Sequence, residues 1–177
     1  GCTEFVRSSY DAGTNLVRNG SFEESATLAS GQTDFYGWEI TGGTGTLNTT
    51  DGFIGSSLAL TDGAAVAQTY SPPATPAGVL VGSAVGSRTF TLSFASKLCD
   101  DNTAIAFDAV QQQITDLLAP GTDIADWQAN DMPAWRRYSL TYTFPTASSQ
   151  TIIPLELTAD GAGCLLDAIQ VEEGATD

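Results

Sequence analysis

Strict two-residue alternation is the feature that most limits what this chain can fold into. In TFTLSFASK, Phe90, Leu92 and Phe94 fall on one side of an extended backbone, while Thr89, Thr91 and Ser93 fall on the other. In WRRYSLTYTF, Tyr138, Leu140, Tyr142 and Phe144 oppose Ser139, Thr141 and Thr143 in the same way. Successive strand side chains point to opposite faces, so both segments read as half-buried strands of antiparallel sheets. Turn-forming stretches punctuate the chain: TGGTGT from Thr41, SPPATPAG from Ser71 and PGTD from Pro120. Residues 103–118 read either way, since Phe107, Val110, Ile114 and Leu117 have helical spacing while TAIAFDAV alternates. The expected class is all-β. A chain of 177 residues with 42% hydrophobic content can bury one sizeable core.

Charge narrows the partners. Twenty-one acidic residues stand against Arg7, Arg18, Arg88, Lys97, Arg136 and Arg137, for a net charge of -15. Such a surface repels phosphate backbones and anionic lipid heads, which argues against nucleic acid. No stretch approaches the roughly 18 apolar residues of a membrane span. The chain contains no histidine, which excludes Ser-His-Asp and Cys-His catalysis and His-ligated metals. A carboxylate pair can hydrolyse glycosides, but Glu23, Glu24, Asp34 and Glu39 are as numerous as chance allows in so acidic a chain. No enzyme is expected.

Three cysteines, Cys2, Cys99 and Cys164, are too few and too far apart for a thiolate zinc site. Cys99 closes one strand and Cys164 opens another, where a bridge between neighbouring edges is geometrically possible; two buried thiols are the alternative. Cys2 follows Gly1 at a position suited to a lipid anchor, an intersubunit link or a free thiol. Sequons begin at Asn19 and Asn48, of which Asn48, in the Gly/Thr-rich region, is the plausible acceptor.

Alternation also puts Asp167 on the side of Leu165, Ile169 and Val171, where a carboxylate has to be paired, neutralised or bound to a cation. Among the aromatics, Trp127 lies in the polar segment DIADWQAND beside Gln128 and Asn130, and Tyr36 lies in TDFYGW. Rings in loops, with amides nearby, are what sugar recognition needs, so these four are the candidate ligand-binding residues.

An opening NLVRNGSFEE from Asn15, GW at Gly37 and Trp38, GSSLALTD from Gly55, the two alternating segments and a closing CLLDAIQVEEG from Cys164 form an ordered frame. This frame resembles carbohydrate-binding modules of the family 4/9 type, within the galactose-binding-like β-sandwiches. The resemblance implies a jelly roll over residues 15–177, preceded by an arm or tether over residues 1–14, and a non-catalytic role. It also implies a structural calcium ion between Glu23 and Asp167, with backbone carbonyls and Ser21 or Ser57 completing about six to eight oxygens. Trp38 and Trp135 match family positions that pack in or against the core.

Two functions fit these readings. One is a module that binds a cell-surface or polymeric glycan. The other is a structural subunit of a virion (capsid decoration, tail or fibre) or extracellular filament, assembling with copies of itself or other subunits through the arm, since such sandwiches also occur in phage proteins. Both put the protein outside the cell, on a cell surface or on a virion.

Overall fold

In the computed structural model, residues 15–30, 32–69 and 77–174 are described. The arm over residues 1–14, Cys2 and most of the Pro-rich loop after Ser71 lie outside these residues. The strands are β1 (Ser25–Thr27), β2 (Thr33–Phe35), β3 (Trp38–Thr41), β4 (Gly45–Asn48), β5 (Ser57–Leu60), β6 (Ala65–Gln68) and β7 (Val79–Leu80). They continue as β8 (Thr89–Lys97), β9 (Ala104–Phe107), β10 (Val110–Gln113), β11 (Arg136–Thr143), β12 (Ile152–Ile153), β13 (Leu155–Thr158) and β14 (Cys164–Glu173). Two five-stranded antiparallel sheets result, β11-β8-β14-β5-β4 and β10-β9-β13-β6-β3, with the small pairs β1-β2 and β12-β7 beside them. The protein is an all-β antiparallel sandwich.

The alternating segments fill the space between the sheets. Phe90, Leu92 and Phe94 of β8 are fully buried, and β11 aligns Tyr138, Leu140 and Tyr142 opposite them in register. From the other sheet, Val66, Ile105, Phe107, Leu155 and Leu157 close the same core. The ambiguous stretch resolves as an antiparallel β9-β10 hairpin followed by a single 3-10 turn, Ile114–Leu117. Alternation wins there because β13 pairs with β9 and buries Ile105 and Phe107, which a helix would have spread over several faces.

The opening and closing frames meet in space. Leu16 N–H donates to the Val171 carbonyl, Val171 N–H donates to Asn15 Oδ1, and Ile169 N–H donates to the Gly20 carbonyl. A Cβ at position 20 would run into the Ile169 carbonyl, so this approach requires glycine. Asn19 is buried within the frame: its amide donates to the Glu24 and Tyr36 carbonyls, and its own carbonyl accepts from the Trp38 indole. The Cys99 and Cys164 sulfurs are bonded at 1.95 Å, joining the end of β8 to the start of β14.

Candidate functional site

The outward face of the β10-β9-β13-β6-β3 sheet has an ordered pattern. Register places Gln111, Ala106, Glu156, Ala67 and Glu39 side by side across the five strands. The next outward row is Gln113, Ala104, Thr158, Ala65 and Thr41. Gln111, Gln113, Glu156, Glu39 and Thr41 are exposed, while the four alanines and Thr158 between them are half-buried. With strands about 4.8 Å apart, each row spans about 19 Å. Amides, carboxylates and hydroxyls therefore stand above a floor of methyl groups, leaving shallow troughs along β9 and β6.

At the β3 end this face opens into a cleft of about 280 Å³, lined by Leu28, Gln32, Thr33, Asp34, Phe35, Trp38, Glu39, Ile40 and the Gly43–Gly45 turn. Glu39 belongs to both the row and the cleft. In the sequence Asp34 and Glu39 are no more than two of many carboxylates, and nothing local marks Glu156, Gln111 or Gln113. The signal was present in AIAF, LELT and AVAQ, whose alternation puts small or polar residues outward, but only register shows that they line up.

Glu23 and Asp167 come together at a different place, on the outward side of the β8 sheet. Asp167 pairs with Ala95, opposite in direction to the core residues Phe94 and Leu166. The expectation that it shares a face with Ile169 and Val171 is corrected by a β-bulge. Register shifts between Asp167 and Gln170, with Ala168 at φ 49°, so Ile169 and Val171 turn inward while Leu165 and Asp167 do not. The Asp167 carboxylate is nonetheless inaccessible to solvent, because the β4–β5 loop folds over it. Ile54 N–H donates to Oδ2 at 2.8 Å and Ala168 N–H to Oδ1 at 2.7 Å. Glu23 Oε1 accepts from Ser56 N–H in the same loop, and Ser57 Oγ donates to the Asp51 carbonyl. Burial pushes the Asp167 carboxyl up to about 7 and the Glu23 charge adds to that push, against the backbone N–H donors that lower it. Two hard carboxylates repelling each other under a loop suit a calcium ion by donor chemistry. Among the described residues no group of three or more His, Cys, Asp or Glu side chains gathers there, so backbone oxygens would have to supply the remaining ligands.

The expected sugar platform is not assembled. Trp127 is buried at 2% exposure, and its indole N–H donates to the Tyr138 hydroxyl at 3.0 Å. It begins a wide helical turn, Trp127–Asp131, after the short helix Ile124–Asp126, and that turn folds the ring back onto the sheet. Its role is core packing, the reverse of the sequence expectation. Gln128 donates to Asp101 and Asn130 to Asp126, so one N–H of each amide is held by a local carboxylate. Tyr36 is 53% exposed, in the turn between β2 and β3, next to the cleft-lining Phe35 rather than with Trp127.

Trp135 is the half-exposed tryptophan, whereas Trp38 is buried against Phe22. Its indole N–H donates to Asp51 Oδ1 at 2.8 Å, and Phe53 meets its ring edge-on at 6.1 Å. The Lys97 ammonium and the Trp135 N–H together hold Asp51 below the usual carboxylate range. Three residues past Lys97, a hydrogen bond to Asp101 raises the Asp100 carboxyl, with the Asp160 charge adding to the rise.

No family model and no curated protein sequence matches the chain. Solved structures do. The CBM22-1 xylan-binding domain of Paenibacillus barcinonensis Xyn10C is 17% identical, with a TM-score of 0.54 over 94% of this chain and 99% of that domain. A family 16 carbohydrate-binding module is 18% identical, with a TM-score of 0.53 over 89% and 99%. A cyclase from Fischerella sp. TAU is 10% identical, with a TM-score of 0.56 over 91% and 97%. Some matches are longer proteins: the chain spans 27% of an arabinose-bound α-L-arabinofuranosidase and 21% of a bacteriophage tailspike enzymatic domain. At these identities the similarity establishes the fold, which is the β-sandwich of carbohydrate-binding modules, and the cyclase shows that this fold also carries catalysis.

Proposed function

We propose that this chain is a non-catalytic, extracellular glycan-binding module whose ligand lies across the β10-β9-β13-β6-β3 face and runs toward the cleft at Glu39. The observation that carries this reading is the registered row Gln111–Ala106–Glu156–Ala67–Glu39. A row about 19 Å long fits roughly four sugar residues by strand spacing. Alternating polar groups and methyl floors offer hydroxyl partners and apolar contact in turn. The sandwich that this chain shares with a xylan-binding domain favours an extended neutral polysaccharide such as xylan as the first ligand to try.

The same proposal includes a structural calcium ion held by Glu23 and Asp167. A divalent cation there supplies charge neutralisation, letting Asp167 stay ionised beneath the loop that carries Asp51 and Phe53.

Affinity gel electrophoresis against xylan, mannan and soluble β-glucans tests the glycan assignment. Glu156→Ala and Glu39→Ala should each reduce retardation while leaving the melting temperature nearly unchanged, because exposed substitutions typically cost less than about 0.5 kcal/mol. A wild-type chain that migrates identically in every gel removes the proposal.

A further inference from the structure

Arginine and an aromatic pair meet on the outward side of the β8 sheet, away from the proposed glycan face. Register places Arg137 in one cross-strand row with Ala95 and Asp167, facing outward. Its guanidinium lies 5.8 Å from the centroid of the Phe53 ring, which in turn meets Trp135 edge-on. Both rings are half-exposed and Arg137 is exposed. The Trp135 ring is fixed by its bond to Asp51, which Lys97 anchors at 2.6 Å.

The partners of Arg137 are unusual for this molecule. Arg88 pairs with Glu173, Lys97 with Asp51 and Arg136 with Asp131. Arg137 instead donates only to neutral oxygens: the Ala168 carbonyl at 3.1 Å, Ser93 Oγ at 2.6 Å and Gln170 Oε1 at 3.0 Å. Among the described residues it has no carboxylate, although the chain has 21 of them. Three hydrogen bonds hold the guanidinium still and leave its Nε–H and one Nη1–H, on different edges of the group, so a further acceptor takes one of them. A planar, fixed guanidinium beside an aromatic face matches a ring that bears a carboxylate.

We propose that Trp135, Phe53 and Arg137 form a second saccharide subsite selective for an acidic sugar, a pyranose carrying a carboxylate. The ring lies against Trp135 and Phe53, and the carboxylate accepts from Arg137. The choice of a sugar over another carboxylate rests on the glycan-binding reading above; the choice of an acidic one rests on Arg137. The net charge of -15 works against any anionic ligand, so the preference for the acid has to come from Arg137 at short range.

The experiment is a titration of ¹⁵N-labelled protein with trigalacturonate and, in parallel, with its fully methyl-esterified form. The Trp135 indole N–H signal, assigned with Trp135→Phe, should shift saturably with the acid. The ester should bind roughly tenfold or more weakly, because it loses the charge-assisted hydrogen bond. Arg137→Met should weaken the acid by a similar factor, whereas Arg88→Met, which removes the same charge from an arginine already paired with Glu173, should not. The ester comparison uses unaltered protein, so it stands even if Arg137→Met melts early. Equal affinity for acid and ester overturns the proposal, as does an indole that never shifts. An acidic tripeptide binding as tightly as trigalacturonate overturns the saccharide assignment. Retardation by neutral xylan tests the first reading alone, so the two fail separately.

Discussion

Titrating Asp167 should reveal how the buried carboxylate is tolerated. Its pKa is about 7 in the folded chain against 3.8 for a free aspartate, mainly through burial. A raised folded value means that the native state holds a proton which the unfolded state has released between these two pH values. The stabilisation is therefore fully present below pH 3.8 and is lost as pH rises to about 7. With a shift near three units and 1.36 kcal/mol per unit, the loss approaches about 4 kcal/mol. Denaturant melts in chelator at half-unit steps from pH 4.5 to 7.5 should show stability falling throughout. Asp167→Asn removes the titrating group and should flatten most of that slope, while leaving any contribution from net charge. Calcium favours the ionised carboxylate, so it should abolish the fall and stabilise the chain at pH 7.5 by about 2.7 kcal/mol at a hundredfold excess over Kd. A calcium-free profile that is flat or rising, or an Asp167→Asn profile with the wild-type slope, refutes the reasoning. A melting temperature at pH 7.5 unaffected by both calcium and chelator refutes the cation.

Trp127→Ala should destabilise the fold by about 3 to 5 kcal/mol in urea melts, since it empties a buried site and removes the indole N–H donor to the Tyr138 hydroxyl, and glycan binding measured on the remaining folded protein should be unchanged. Replacing Cys99 and Cys164 together by alanine should cost about 4 kcal/mol from the chain entropy released over their separation of 65 residues, and peptide mapping without reductant should recover the two peptides linked. Tyr36→Ala, at 53% exposure, should leave stability within about 0.5 kcal/mol of wild type by the same melts.

The strands were legible wherever one face is buried and the other wet. Phe90, Leu92 and Phe94 read correctly because period-two alternation is a local property of the chain. The aromatic roles were not legible. Trp127 sits in a polar segment that looks like an exposed loop, yet a wide helical turn folds its ring beneath the surface and gives its N–H a partner in Tyr138. Trp135, just before β11, is expected from the family resemblance to pack in or against the core, yet it is half-exposed and tied to a loop 84 residues earlier in the chain. Burial of a single ring depends on what lies across from it, and neighbouring residues do not encode that.

The residues themselves determined that this chain is all-β, acidic, without histidine chemistry and bracketed by two frames that seek each other. Tertiary structure alone decided what those strands present. A bulge after Asp167 reverses the side of every later residue in β14, turning Ile169 and Val171 inward and leaving the carboxylate beneath a distant loop. Five short strands, whose alternation shows only which residues face outward, align Gln111, Glu156 and Glu39 into one row because hydrogen-bond register acts between segments far apart in sequence. Alternation belongs to one strand and can be read along it; register and bulges belong to pairs of strands and exist only once they have met.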